Sequence, residues 1–179
     1  MRWADFEAAA RGLAALGRKK LLAPGVVLVG TIRRDGAPRI SPVEPFVLDG
    51  ELWLSMLWGS HKAADLARDP RVLVHSIVSS RDGGDGEYKL RGRCHAEEDR
   101  GVRERYADAV SAALGWRPDP DRVHLFRVDI DSVSYLRYDD ATGDQFTVLW
   151  PQGREYVRRG TGATSLGPPE PADLGLLDP

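Results

Sequence analysis

A serine, a histidine and a lysine in succession, Ser60-His61-Lys62, stand where the chain leaves a strand and begins a helix. The stretch from Leu52 to Val72 reads as a strand, a tight loop containing Gly59, a short helix from about His61 to Arg68, and an exit marked by Asp69-Pro70. The residue before a proline disfavours helical geometry, so the helix ends there. Ser60 is placed as the N-cap, which turns its hydroxyl and the free amides of His61 and Lys62 outward beside the Lys62 ammonium. Helix-start amides and a cation together make a site for an anion, phosphate above all. The plainer alternative makes Ser60 a simple cap and Lys62 a solvated lysine. No residue in the chain stands out as an obligatory acid or base.

The elements that must position this site can be read in order. Phe6, Ala9, Ala10, Leu13 and Leu16 recur at helical spacing and Asp5 can cap them, which predicts an amphipathic helix over about 5–17, packed across a sheet. Val26 to Ile32 is a β-branched run without polar alternation until Thr31, as in a strand buried on both faces. Asp35-Gly36 and Asp49-Gly50 are strong hairpin turns, so Val26–Ile32, Ala37–Leu48 and Glu51–Leu57 form an antiparallel meander. Pro38, Pro42 and Pro45 cannot donate ladder hydrogen bonds, so the middle strand must be bulged, bent or at an edge. A bent strand suits a small barrel better than a flat sheet. Further strands are predicted at Val72–Val78, Tyr88–Ala96, Val123–Ile130, Val133–Tyr138 and Gln145–Trp150, which is either the last strand or half of a hairpin with Tyr156-Val157, with a helix capped by Asp99 and running to about Leu114. That helix presents Val102, Tyr106, Ala109, Val110 and Ala113 on one face. Gly115 to Asp121 reads as a linker turn. About seven strands, mostly antiparallel, with helices inserted singly, favour a mainly β fold: a small barrel, not a doubly wound parallel sheet.

Composition bounds the function. With 179 residues and 42% apolar content, one domain over residues 1–159 is expected, followed by a flexible tail over 160–179 that is rich in Gly, Pro and acidic residues. Twenty-five basic against 27 acidic residues give a formal charge of -2, so no global field draws the protein to nucleic acid or an anionic membrane, and any anion site must be local. One cysteine, Cys94, excludes an internal disulfide framework and suits a reducing compartment. No apolar run is long enough to span a bilayer, and the N-terminal charges interrupt any signal-type segment. A soluble cytoplasmic protein is expected.

The series Gly30-Thr31-Ile32-Arg33 with Asp35-Gly36, then Pro38-Arg39-Ile40-Ser41-Pro42-Val43, then Asp49-Gly50-Glu51-Leu52-Trp53-Leu54, then Ser60-His61-Lys62-Ala63-Ala64-Asp65-Leu66 with Asp69-Pro70-Arg71-Val72, resembles the pyridoxamine 5'-phosphate oxidase-like superfamily. This is the FMN-binding split-barrel group, which also holds flavin and deazaflavin oxidoreductases. The resemblance covers roughly residues 26–100 and implies a split β-barrel of six to seven antiparallel, Greek-key-type strands. It further implies a homodimer with a cofactor in a groove at the dimer interface, held by Arg39, Ser41, Ser55, Ser60, His61 and Lys62. The implied cofactor is FMN or, alternatively, the deazaflavin coenzyme F-420. Arginine outnumbers lysine 21 to 4, a high-GC signature that keeps the deazaflavin in view. The implied activity is two-electron hydride transfer to or from a small organic substrate.

Two departures narrow the resemblance. Glu44 stands where the oxidase's arginine-strand motif ends in a phosphate-binding lysine, so this carboxylate must face elsewhere or the cofactor must sit differently. The C-terminal oxidase signature, a tryptophan strand followed by an arginine, has only Trp150-Pro151 and Arg154 as counterparts. Pyridoxamine phosphate itself is therefore not the expected substrate. A non-catalytic flavin or haem carrier on the same barrel is the alternative, and a flavin-free barrel kept for its interface is a third.

The other candidates carry less. His61, His75, His95 and His124 include no i, i+4 pair, and Cys94 and His95 must point to opposite faces of a strand, so no metal site is expected. Asp82-Gly83-Gly84-Asp85-Gly86 lacks the terminal glutamate of a calcium loop. Gly160-Thr161-Gly162 has no βαβ setting. Trp53 and Met56 read as core or interface, whereas Trp58, in the loop beside the anion site, could cover a cofactor ring or shape a substrate pocket.

Overall fold

A computed structural model describes residues 1–79, 81 and 83–178; Ser80, Asp82 and Pro179, the first two from the Gly/Asp loop, lie outside the described residues. Four α-helices are described: α1 (Trp3–Ala9), α2 (Arg11–Gly17), α3 (His61–Arg68) and α4 (Arg100–Leu114). The ten strands are β1 (Val27–Ile32), β2 (Pro38–Val43), β3 (Pro45–Leu48), β4 (Glu51–Leu57), β5 (Arg71–His75), β6 (Glu87–Ala96), β7 (Val123–Tyr138), β8 (Gln145–Trp150), β9 (Arg154–Gly162) and β10 (Ser165–Pro171).

All pairings are antiparallel, in the order β10-β9-β8-β7-β6-β5-β1-β2, with β4 pairing both β7 and β3. The prolines decide how the sheet closes. β2 pairs β1 up to Val43, the chain turns at Glu44, and Pro45 starts β3, which pairs β4 instead. One bent strand thus serves two partners, giving the split β-barrel that the sequence predicts. Val27, Val29 and Thr31 of β1 are buried while the alternate positions are half-buried, so this strand is not sealed on both faces.

The segments read as separate strands over 123–130 and 133–138 are one sixteen-residue strand, β7. A bulge opposite Arg91 and Gly92 keeps it continuous: Arg91 pairs Ser132 and Gly92 pairs Ile130, so Asp131 is the extra residue. A Cβ on Gly92 would lie 2.1 Å from the Asp129 carbonyl oxygen, which explains a glycine in mid-strand.

The N-terminal helix is broken in two. Ala10, at φ -153° and ψ 70°, separates α1 from α2, and Arg18–Leu22 continue as a π-helical turn. Trp3 and Phe6 enter the main core, where Phe6 meets Trp150 edge-on at 5.0 Å. Tyr88 Oη donates to the Leu13 carbonyl at 3.0 Å, tying α2 to β6. A second cluster of Trp53, Tyr106, Val110 and Leu125 docks α4 on the outer face of β4 and β7. Asp99 caps α4 by accepting from the Val102 amide at 2.8 Å, and Gly115, at φ 77°, ends it.

The C-terminal residues carry regular structure. β9 runs to Gly162 and β10 covers Ser165–Pro171, and Leu174, Leu176 and Leu177 pack against the main core. The Arg11 and Leu13 amides donate to the carbonyls of Asp178 and Leu176 at 3.1 and 2.7 Å, and Glu155 accepts from the Leu174 and Leu176 amides. Three leucines and a set of backbone donors suffice where composition alone reads as disorder. Among the described residues, no helix is long and apolar enough to cross a membrane.

Candidate functional site

β4 ends at Leu57, and Gly59, at φ 72°, turns the chain so that the Ser60 amide donates back to the Leu57 carbonyl at 3.1 Å. Ser60 takes the extended N-cap conformation, φ -68° and ψ 142°, and its carbonyl accepts the first helical bond from Ala64 at 3.2 Å. Its hydroxyl, however, does not cap the helix. Ser60 Oγ is buried and has no hydrogen-bond partner within the described structure. A buried hydroxyl without a partner is costly unless something else occupies the position. The amides of His61, Lys62 and Ala63 precede the first intrahelical bond, so the helix presents its positive end beside that hydroxyl. Lys62 is half-buried and its Nζ donates to the Pro42 carbonyl at 3.3 Å, with no carboxylate partner among the described residues.

One turn further on, α3 carries a different arrangement. Asp65 is buried and accepts from Thr31 Oγ1 at 3.0 Å and from Arg39 Nε at 2.6 Å, while Arg68 Nη1 lies 3.5 Å away. Burial alone would raise the Asp65 pKa; the hydrogen bonds from Arg39 and Thr31, with the charges of Arg39 and Arg68, outweigh it and hold the carboxyl below its usual range. Arg39 is therefore paired with a carboxylate within the fold.

Two depressions flank the first turn of α3. A cavity of about 570 Å³ lies between the β2–β3 bend (Pro42, Val43, Glu44), the end of β4 (Ser55, Met56, Leu57), Lys62, and the α4–β7 connection (Trp116, Pro118, Asp119, Arg122). Tyr106 is buried in the α4 cluster; burial raises its pKa most, the nearby Ser55 hydroxyl lowers it and the Glu44 charge raises it, so the phenol keeps its proton. The second depression, about 640 Å³ and open, is lined by Arg33, Arg34, Arg39, His61 and Arg68 together with Asp35 and Asp65.

The six residues expected at one site are thus divided. Ser55 and Lys62 face the first cavity, Arg39 and His61 the second, and Ser60 lies between. Ser41 lines neither; it sits opposite Val29 in the β1–β2 ladder. Trp58 does not cover the cavity either. Its ring stacks on His124 at 4.7 Å and 4°, and the Gly59 amide donates to His124 Nε2 at 3.1 Å, which anchors the loop. Glu44 does not face elsewhere, since it shares the cavity with Lys62. Sequence reasoning missed Tyr106 and the Trp116–Arg122 wall, whose one local signal is the pair of buried prolines, Pro118 and Pro120. Among the described residues, no three His, Cys, Asp or Glu side chains gather as a metal ion requires. Cys94 is buried and its thiol is pushed up to about 12.

Residues 17–137, which hold the barrel and α3, match the family model of pyridoxamine 5'-phosphate oxidase. The chain belongs to the pyridoxamine 5'-phosphate oxidase family. Solved structures repeat the fold. A conserved hypothetical protein from Mycobacterium tuberculosis aligns with TM-score 0.56 and 21% identity over 66% of this chain and 81% of its own. A NimC/NimA family protein from Clostridium acetobutylicum gives TM-score 0.55 and 16% identity over 80% and 99%. A heme binding protein from Mycobacterium smegmatis gives 0.50 and 21% over 64% and 50%. No curated protein matches the sequence. The C-terminal counterparts of the oxidase signature are structural in this family member: Trp150 is buried against Phe6, and the Arg154 guanidinium lies 5.6 Å over the Tyr156 ring.

Proposed function

We propose that this protein is a flavin-type oxidoreductase that binds FMN or the deazaflavin coenzyme F-420 beside the first turn of α3. The reaction would be two-electron hydride transfer to or from a small organic substrate other than pyridoxamine phosphate. The observation that carries this reading is Ser60 Oγ, buried and without a partner among the described residues, at the start of α3 between the 570 Å³ cavity that Lys62 lines and the depression that His61 lines. This donor set is what a phosphate monoester requires: a hydroxyl, backbone amides at a positive helix end and one cation. A bound flavin-type group supplies the hydride chemistry.

The chain's own residues bind, orient and exclude water. Lys62, Ser60 and the His61 and Lys62 amides hold the phosphate, and Met56, Leu57, Trp116 and Pro118 form an apolar wall. Ser55, near the end of β4, offers a hydroxyl to the cavity. Arg39 contributes through the fold, by holding Asp65 and so the position of α3. Leu57 and Trp116 remain 82% and 44% exposed although both line the cavity. A second copy of the chain closing over them fits the homodimer that the family implies, and light scattering with Leu57→Asp tests it: the variant should run as a monomer.

The alternative, a flavin or haem carrier without turnover, rests on His61. His75, His95 and His124 all have partners, whereas His61 is exposed beside the arginine-lined depression. The absorbance spectrum and extracted-cofactor mass of the purified protein separate the readings, followed by titration with FMN and F-420. Binding of one of them, weakened by Lys62→Ala and by Ser60→Ala, is the expected result. Binding of neither, or indifference to both substitutions, rejects the proposal, and a haem spectrum lost in His61→Ala selects the alternative.

A further inference from the structure

The charges lining the cavity are Glu44, Lys62, Asp119 and Arg122. They are not equivalent. Asp119 and Arg122 come from the same connection, and the Asp119 carboxylate already accepts the Asp121 amide at 2.9 Å. Lys62 turns to the Pro42 carbonyl and not to Glu44, although Glu44 is only two residues beyond Pro42. Glu44 sits at the one position where the bent strand changes partner from β1 to β4, between the buried Val43 and Pro45, so its backbone is held from both sides. Among the described residues it has no ion pair, and its recorded neighbour is the protonated phenol of Tyr106.

We propose that Glu44 is the specificity-determining residue of this cavity and selects substrates carrying a cationic head group, an amine above all, while rejecting phosphate esters and carboxylates. This rests on the reading of the cavity as the cofactor and substrate site. Once a cofactor phosphate matches the Lys62 charge, and with Asp119 already accepting a backbone amide, Glu44 is the carboxylate of the lining that has no ion pair or hydrogen bond among the described residues, across from the apolar Met56, Leu57 and Trp116. A carboxylate there attracts an ammonium by charge-assisted hydrogen bonds and disfavours an anion by like-charge repulsion and desolvation.

The experiment uses benzylamine, benzyl alcohol and benzyl phosphate, which share one ring and differ in head group. Binding is read by tryptophan fluorescence, since Trp116 lines the cavity, in the purified protein with and without added FMN or F-420. In the cofactor-loaded protein the wild type is expected to bind benzylamine at least about tenfold more tightly than benzyl phosphate, the size of one charge-assisted contact, and in the unloaded protein, where Lys62 is free to take the phosphate, the ratio should narrow. Glu44→Gln should shrink that ratio to near unity, Glu44→Lys should invert it, and Asp119→Asn should keep it. A thermal melt establishes that each variant is folded; if Glu44→Lys is not, Glu44→Gln decides alone. Wild-type selectivity persisting in folded Glu44→Gln, or its loss in Asp119→Asn instead, overturns the proposal. A protein that binds FMN or F-420 through Lys62 and Ser60 yet shows no amine preference rejects this inference and keeps the oxidoreductase reading, whereas binding of neither cofactor rejects both, so the two failures are distinguishable.

Discussion

Arg39 Nε lies 2.6 Å from Asp65 Oδ2, across the gap between β2 and α3. The arginine that the family resemblance assigns to a cofactor is thus the partner of a buried carboxylate, whereas Lys62, one turn earlier in α3, has no carboxylate partner among the described residues. Stability and binding should separate accordingly. Arg39→Ala leaves Asp65 with Thr31 and a more distant Arg68, which should cost about 2 kcal/mol of folding stability, less than a fully buried pair because Arg39 is partly solvated. Lys62→Ala should cost under about 0.5 kcal/mol in stability but weaken cofactor binding by about tenfold to a hundredfold. Urea denaturation and cofactor titration on both variants check the crossover.

The same carboxylate makes a prediction in pH. The folded Asp65 pKa lies below its unfolded value, so the contribution is full above the unfolded value of about 4 and is lost as pH falls through the folded one. Asp139 and Asp144 are also depressed, so the difference between wild type and Asp65→Asn is the informative quantity. The two melting curves should run parallel above about pH 5 and converge below about pH 4. Parallel curves throughout would exclude the pair as an acid-sensitive element.

The barrel was legible because its punctuation is local. Asp49 and Gly50, at φ 54° and 75°, make the turn that the dipeptide predicts, Asp99 caps α4, and Pro45 marks the strand break. The helix of the site was legible for the same reason, since Ser60, Gly59 and Asp69-Pro70 bound it from both ends. What was not legible depends on distant partners. Nothing near Arg39 announces Asp65, 26 residues later, and the Trp116–Arg122 wall acquires its place only when α4 docks through Tyr106 on Trp53. A pattern within one element cannot encode which cavity its loop will close.

His124 should act on the site without touching a ligand. It stacks on Trp58 and accepts from the Gly59 amide, and so holds the loop that delivers Ser60. His124→Ala should release Trp58, which is already 58% exposed, and red-shift its emission relative to a Trp58→Phe reference. Stability should fall by no more than about 1 kcal/mol, the scale of one exposed hydrogen bond and ring contact. Cofactor affinity should fall several-fold through loss of order at Ser60. Restoration of affinity by His124→Gln, which keeps an acceptor at the side-chain end, would separate this positioning role from a contact with the ligand.

The C-terminal segment offers the clearest stability test. From Leu174 to Asp178 the chain lies against α2, with the Leu176 carbonyl accepting from Leu13 and the Asp178 carbonyl from Arg11. The fit is close: a Cβ on Gly12 would approach the Gly175 carbonyl oxygen to 2.8 Å. Removing residues 172–179 uncovers the side of α2 beneath Leu174, Leu176 and Leu177 and leaves the Glu155 carboxylate without two amide donors. Three partly buried leucines and these hydrogen bonds together should be worth about 3–5 kcal/mol, so the truncated chain should melt well below the full one. Gly12→Ala should reproduce part of that loss by pushing the segment away while leaving its leucines in place. If α2 and the C-terminal segment are one packed unit, hydrogen exchange at the Leu13 amide should rise sharply in both variants and the Tyr88 region of β6, joined to α2 through the Leu13 carbonyl, should follow. Unchanged exchange at Leu13 in the truncated protein would show that the segment adds nothing to the docking of α2, and would return residues 172–178 to the loose tail that their composition suggests.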